Sequence, residues 1–398
     1  MSAAVFVAGI GVISAIGNSA PECLDALVKG ETGIGRIRYL QTKHQGDLPA
    51  GEVQLSNDEL AVRSGFSPSA NRTAMLSMMA AKEALDDSGI QISGLRAGFV
   101  SASTAGGMDK TEHFIMRFLT DRSKGKLRDV IHHECGSITA LVADKLGIKN
   151  HVSTISTACT SSANAIMYGA RLIKHNILDA VIAGGTDALT RFSLNGFNTL
   201  MILDEQYCQP FDENRRGLNL GEGAGYLVLV SERVATMLKK DPYCFLSGYC
   251  NANDAYHQTA SSPGGDGPYQ AMSGALLMSS LQPQDIGYIN LHGTGTQNND
   301  NSEGAAIKRL FYPQYPTMSS TKSFTGHTLG ASAGMEAVFC ALALREGIIY
   351  ANLRLKTPIA AFPFVPETAF SLYPELKHVL SNSVGFGGNC SSLIFSKV

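Results

Sequence analysis

The chain has 398 residues, 44% of them hydrophobic and 17% charged, with a net charge of −2. That is enough apolar material for a large core or two fused domains, and the scattered basic residues give no bulk electrostatic reason to expect nucleic acid. Eight cysteines are spread along the chain without CxxC pairs or Cys/His clusters at zinc spacing, so neither a disulfide framework nor a structural metal is indicated and reduced thiols are expected.

The opening MSAAVFVAGIGV is apolar but has no basic leading segment and is broken by Gly9 and Gly11, so it reads as a first core strand rather than a signal peptide. No later apolar run approaches the roughly 20 residues that span a bilayer. No membrane association is expected, and the cytoplasm is the default location. Strand-like runs at 3–12, 96–103, 151–157 and 179–185 alternate with amphipathic helical stretches at 72–88 and 161–175. The theme returns with a strand at 243–251, a helix at 268–281, a strand at 287–293, helices at 300–311 and 329–346, and closing strands at 379–384 and 392–397. This alternation predicts an α/β fold of two related halves, 1–245 and 246–398, sharing one core because no Pro/Ser-rich linker separates them.

Four constellations carry chemistry. In STACTSSANA, Cys159 sits between a strand and a helix, where the helix dipole favours thiolate, although a free cysteine in a turn is more often a small core hydrophobe. In YINLHGTGT, His292 leaves an apolar strand into a glycine loop, followed by Asp300 and Glu303; such a histidine either presents a ring nitrogen to a ligand or satisfies loop backbone. In KSFTGHTLGASAG, Lys322 precedes His327 by five residues, and a cation beside an imidazole helps keep it neutral. In NSVGFGGNCSS, glycines around Phe386 expose backbone N–H groups that can form an oxyanion site.

Together, in this order, the four motifs resemble end to end the β-ketoacyl-acyl carrier protein synthases of the thiolase-like superfamily, in their elongating Cys-His-His form. PFDENRRGLNLGEGAGYLVL (210–229) and STAGGM (103–108) extend the likeness. The resemblance implies a duplicated five-layer α-β-α-β-α thiolase-like fold, a dimer of like or related subunits, and decarboxylative condensation of an acyl thioester with a malonyl unit on acyl carrier protein. It implies no cofactor and no catalytic metal. Cys159 would be the acyl-accepting nucleophile, its own N–H and that of Phe386 the oxyanion hole, and His292 and His327 the groups that bind the malonyl thioester. Lys322 and Glu303 would support them, and Phe386 would sit on a gating loop. Thiolases and initiating ketosynthases use Cys-His-Cys or Cys-His-Asn sets, and chain-length-factor subunits lose the cysteine, so the motifs favour the condensing enzyme over both.

Departures also stand out. Val384 replaces the usual first aromatic of the glycine loop, Asn389-Cys390 replaces Thr-Asn, Leu218 stands where an aromatic is usual, and Ala105 is small. The GLNLGEGAGYL wording resembles ketosynthases of aryl-polyene and flexirubin-like pathways. Arg215, and less so Arg63 and Arg72, are expected to meet an acidic carrier protein. Glu303, Asn290 and Glu336 are expected to organise the loop behind the site, around a monovalent cation.

Overall fold

The computed structural model describes residues 4–398. The first half supplies β1 (Val5–Ile13), β2 (Ala97–Ala102), β3 (His151–Ile155), β4 (Ala180–Asp187) and β5 (Gly223–Ser231); the second supplies β6 (Cys244–Asn253), β7 (Tyr288–Asn290), β8 (Thr317–Ser319), the short pair β9 (Ile348–Ile349) and β10 (Ser371–Leu372), then β11 (His378–Val384) and β12 (Asn389–Ser396). Ten of these strands form one hydrogen-bonded sheet in the order β3-β2-β4-β5-β1-β6-β12-β11-β7-β8. In the first set β5 lies antiparallel between β1 and β4, with β2 and β3 parallel to β4. In the second β12 lies antiparallel between β6 and β11, with β7 and β8 parallel to β11. Strand order and sense are therefore the same twice over, and the sets join where Phe6 and Val7 pair with Phe245 and Cys244.

Helices α1 (Ala20–Lys29), α2 (Asn57–Ser64), α3 (Arg72–Ser88), α4 (Met108–Thr120), α5 (Cys135–Leu146), α6 (Ser161–Lys174), α7 (Arg191–Thr199), α8 (Glu232–Ala235), α9 (Asp266–Ser279), α10 (Gln297–Phe311), α11 (Lys322–Thr325) and α12 (Ser332–Glu346) complete the chain. Helices α6 and α12 touch each other and strands of both sets, while α3 and α5 cover the far face of the first set and α9, backed by α10, that of the second. The layering is α-β-α-β-α. Every residue of α12 from Ser332 to Leu344 is buried. A helix apolar all round belongs inside, and small residues let it approach: a Cβ on Gly334 would lie 2.5 Å from the carbonyl oxygen of Gly225 in β5.

The helices expected at 72–88 and 161–175 stand as α3 and α6. The helix expected at 329–346 opens with a tight 3-10 turn at Leu329–Ala331 before α12, and β3 ends at Ile155 because the next residues turn back on themselves in an isolated Thr157–Cys159 bridge. No helix among the described residues is long and apolar enough to cross a membrane.

Candidate active site

Between β3 and α6 the chain makes a sharp elbow. Ala158 there has φ 53°, the left-handed region that costs a residue bearing a Cβ, and the strain is held by Ser161, whose Oγ donates to the Ala158 carbonyl and accepts the Thr157 N–H at 2.8 Å. The elbow brings Cys159, 7% exposed, to the floor of two cavities.

The loop after β7 is gathered by two carboxylates one turn apart on α10. Glu303 accepts the N–H groups of His292 at 2.8 Å and Gly293 at 2.9 Å and the amide of Asn382 at 2.7 Å, and Asp300 accepts those of Thr294 at 3.1 Å and Phe211 at 2.8 Å. Burial raises the Glu303 carboxyl to about 7, against the pull of those donors. The His292 backbone is thereby held, and its ring centroid lies 5.3 Å from that of His327, the two rings perpendicular.

His327 has its tautomer set by its surroundings. Its Nδ1 accepts the Leu329 N–H at 3.2 Å and lies 2.9 Å from Ser332 Oγ, so the ring proton sits on Nε2, which is 3.1 Å from Cys159 Sγ. The donor atoms of Cys159, His292 and His327 all lie within 4.8 Å of one another, a thiolate-imidazole set of the kind zinc favours. A metal on Nε2 would need the proton on Nδ1, where a backbone N–H already points. His327 is therefore set to donate a hydrogen bond from Nε2.

Lys322, 2% exposed, is in direct contact with Glu336 Oε1 in α12. Burial, then the Lys322 cation, hold both histidines well below the usual imidazole range, so both are neutral at physiological pH. The thiol behaves differently from the sequence expectation of a lowered pKa. Burial pushes Cys159 up to about 11, and Lys322 with the N–H groups of Phe386 and Cys159 pulls only part of the way back. Desolvation outweighs the helix terminus.

The Phe386 N–H thus faces the sulfur, and Gly385 packs so closely beneath it that a Cβ there would lie 3.3 Å from the Cys159 nitrogen. The Phe386 ring stacks on Phe197 at 5.8 Å, and both rings line both cavities. One cavity, about 250 Å³, includes Thr294, Thr296, Arg216, Leu218 and both histidines. The other, about 410 Å³, is walled mainly by apolar groups, among them Ala105, Met108, Leu200 and Leu329.

Two of the arginines expected to face a carrier protein do not. Arg215 is 4% exposed, with its Nε 3.5 Å from Asp300, and Arg72 is 7% exposed and binds Glu222 through Nε and Nη2. A buried guanidinium is retained by its carboxylate. Arg63 is exposed on α2 but lines neither cavity. Arg216, which the sequence reading passed over, lines the smaller cavity with half its side chain exposed, paired to Asp204 at 3.0 Å. Glu336 serves Lys322 rather than Glu303; its other oxygen, with Asn290 Oδ1 and Ser381 Oγ on neighbouring strands, is buried without a hydrogen-bond partner among the described residues. Asp187 was also missed: at the end of β4 it accepts N–H groups of Thr104, Ala105 and Gly330 at 2.8–3.0 Å, tying the STAGGM loop to the 3-10 turn that precedes α12. A lone buried acid after a strand, within TDAL, was its only signal.

Residues 2–235 match the model of the β-ketoacyl synthase N-terminal domain and residues 243–356 that of its C-terminal domain. The chain belongs to the β-ketoacyl synthase family. It is 33% identical over 408 residues to 3-oxoacyl-[acyl-carrier-protein] synthase 2 of Staphylococcus aureus, covering 99% of this chain and 98% of that protein. Among solved structures, the ishigamide ketosynthase/chain length factor superposes with a TM-score of 0.95 at 28% identity over the whole of both chains. A ketosynthase (ApeO) in complex with its chain length factor (ApeC) from Xenorhabdus doucetiae superposes with a TM-score of 0.85 at 30% identity, covering 100% of this chain and 98% of that one. The fold of this family is thiolase-like, as the repeated strand order shows.

Proposed function

We propose that this β-ketoacyl synthase joins an acyl group held on Cys159 to a malonyl unit carried by acyl carrier protein, with loss of carbon dioxide. The observation that carries the reading is the 3.1 Å approach of His327 Nε2 to Cys159 Sγ, with His292 perpendicular beside it.

In the first half-reaction Cys159 sulfur forms a bond to the acyl carbon, the bond from that carbon to the carrier sulfur breaks, and the thiol proton ends on the departing carrier thiol. The exchange is proton-neutral, so a thiol near 11 is compatible with it. The N–H groups of Cys159 and Phe386 receive the oxyanion. In the second, Nε2–H of His327 and the ring of His292 hold the malonyl thioester oxygen. The bond to the carboxylate breaks, carbon dioxide leaves, and the enolate carbon attacks the Cys159 thioester; the released sulfur takes a proton from solvent. Lys322 keeps the histidines neutral, Glu303 holds the His292 loop, and Phe386 gates the site.

The halves expected as 1–245 and 246–398, with the division moved to the start of β6 at Cys244, supply nucleophile and histidines respectively. We place the enzyme in the cytoplasm as a homodimer or as a heterodimer with a related subunit, and Arg216 replaces Arg215 as the carrier contact at the cavity mouth. The partnerless oxygens of Asn290, Ser381 and Glu336 are the place for the monovalent cation, which a potassium-dependent rise in melting temperature, lost in Asn290→Ala, tests. The presence of Cys159 weighs against a non-catalytic chain-length-factor role. Incubation with candidate acyl carriers, followed by mass spectrometry of the Cys159 peptide, tests the function: an acyl adduct on that residue is expected, and adducts equally abundant in Cys159→Ala would overturn it.

A further inference from the structure

The nucleophile elbow and the glycine loop are separated by more than half the chain, yet the proposed oxyanion site needs their N–H groups in register. Asn389 joins them. Its carbonyl accepts the Gly385 N–H at 2.7 Å, closing the loop that carries Phe386. Its side-chain Oδ1 is approached by Thr160 Oγ1 at 2.8 Å, Asn251 Nδ2 at 2.7 Å and Asn164 Nδ2 at 3.3 Å. Thr160 is the neighbour of Cys159, and Asn164 also donates to Thr157 Oγ1 at 2.8 Å on the other side of the elbow. Asn251 in β6 donates to Asn164 Oδ1 at 3.0 Å and so braces the group from the second half of the sheet.

We infer that Asn389 is a positioning residue that sets the spacing between the Phe386 and Cys159 N–H groups. The inference rests on the condensing-enzyme reading. A side chain bound on one side only, or none, would let the loop shift against the elbow without unfolding either. Transition-state stabilisation by oriented N–H groups is sensitive to such shifts, whereas displacement on iodoacetamide creates no oxyanion and feels them only through the thiolate share, which burial dominates.

The experiment compares Asn389→Ala, Asn389→Asp and Asn251→Ala with the unaltered enzyme, reading single-turnover acylation of Cys159 from an acyl carrier, its KM, and the rate of iodoacetamide alkylation. Asn389→Ala is expected to lose about tenfold to a hundredfold in acylation rate with KM unchanged and alkylation slowed by no more than about threefold. Asn389→Asp keeps an acceptor for the same donors and should return to within about threefold, and Asn251→Ala should show a smaller loss of the same pattern. Wild-type acylation by Asn389→Ala, no recovery in Asn389→Asp, or a parallel fall of acylation and alkylation would each overturn the inference. Failure of every acyl carrier to acylate the unaltered enzyme would instead remove the condensing-enzyme reading, and this inference with it.

Discussion

His327 turns its protonated Nε2 towards Cys159 Sγ at 3.1 Å because its other ring nitrogen is occupied by the Leu329 N–H. A ring fixed in that tautomer is a hydrogen-bond donor to whatever lies above the sulfur and a poor acceptor of the thiol proton. The two half-reactions should therefore separate. Cys159→Ala should lose acylation and condensation while retaining some malonyl decarboxylation. His327→Ala or His292→Ala should still be acylated, with condensation slowed by about a hundredfold to a thousandfold, the cost of one lost donor to developing charge. Radiolabelled acyl- and malonyl-carrier assays read both steps; full condensation by His327→Ala would refute the assignment.

The buried thiol should show in its alkylation. With Cys159 at about 11, the iodoacetamide rate should climb about tenfold per pH unit through pH 9 without levelling near the ordinary thiol value of about 8.5. A plateau between pH 7 and 8 would show that the thiolate is stabilised in the resting site.

Lys322→Met leaves Glu336 buried without its cation, which should cost about 3–5 kcal/mol of stability by denaturant titration. It also removes a positive charge that depresses both imidazoles, so their pKa values rise. Protonation would force a proton onto His327 Nδ1 against the Leu329 N–H. The imidazole rings of the unaltered enzyme should stay neutral from pH 8 down to about pH 6, whereas in Lys322→Met, where burial alone still holds them down, ring protonation should begin at a higher pH than in the unaltered enzyme, as NMR titration of the ring protons reads.

Adjacent arginines should give opposite phenotypes. Arg215→Ala strands the fully buried Asp300 and should lower stability by about 3–5 kcal/mol. Arg216→Ala, in a half-exposed pair, should cost about 1 kcal/mol or less. At low salt it should raise KM for carrier-bound substrates about fivefold, a difference that fades at high salt, while short pantetheine substrates are unaffected. Equal KM and salt dependence for both substrate types would remove Arg216 from the docking surface.

Those arginines show where sequence stops being legible. Residues 215 and 216 are neighbours of identical chemistry, and only the path of the chain past α10 decides which meets Asp300 and which meets solvent. Cys159, His292 and His327 were readable because each ends or opens an element beside small residues, a local signal. Asp187 was not, and Asp300 was visible only as an acid after the glycine loop, since their task is to accept backbone N–H groups from other loops, which no spacing records. The thiol's pKa went the wrong way for the same reason: a helix terminus is visible in sequence, but the enclosure of the sulfur between two halves of the fold is not.

Phe386 and Phe197 stand between two cavities that meet at the Cys159 sulfur. If the apolar cavity keeps the growing chain, the histidine-lined one must receive both carriers in turn. The departing carrier must vacate before the malonyl carrier enters, which makes the kinetics ping-pong. Free carrier protein should then compete with malonyl carrier for the acylated enzyme, so a high ratio of unloaded to loaded carrier would throttle chain extension without any dedicated regulatory site.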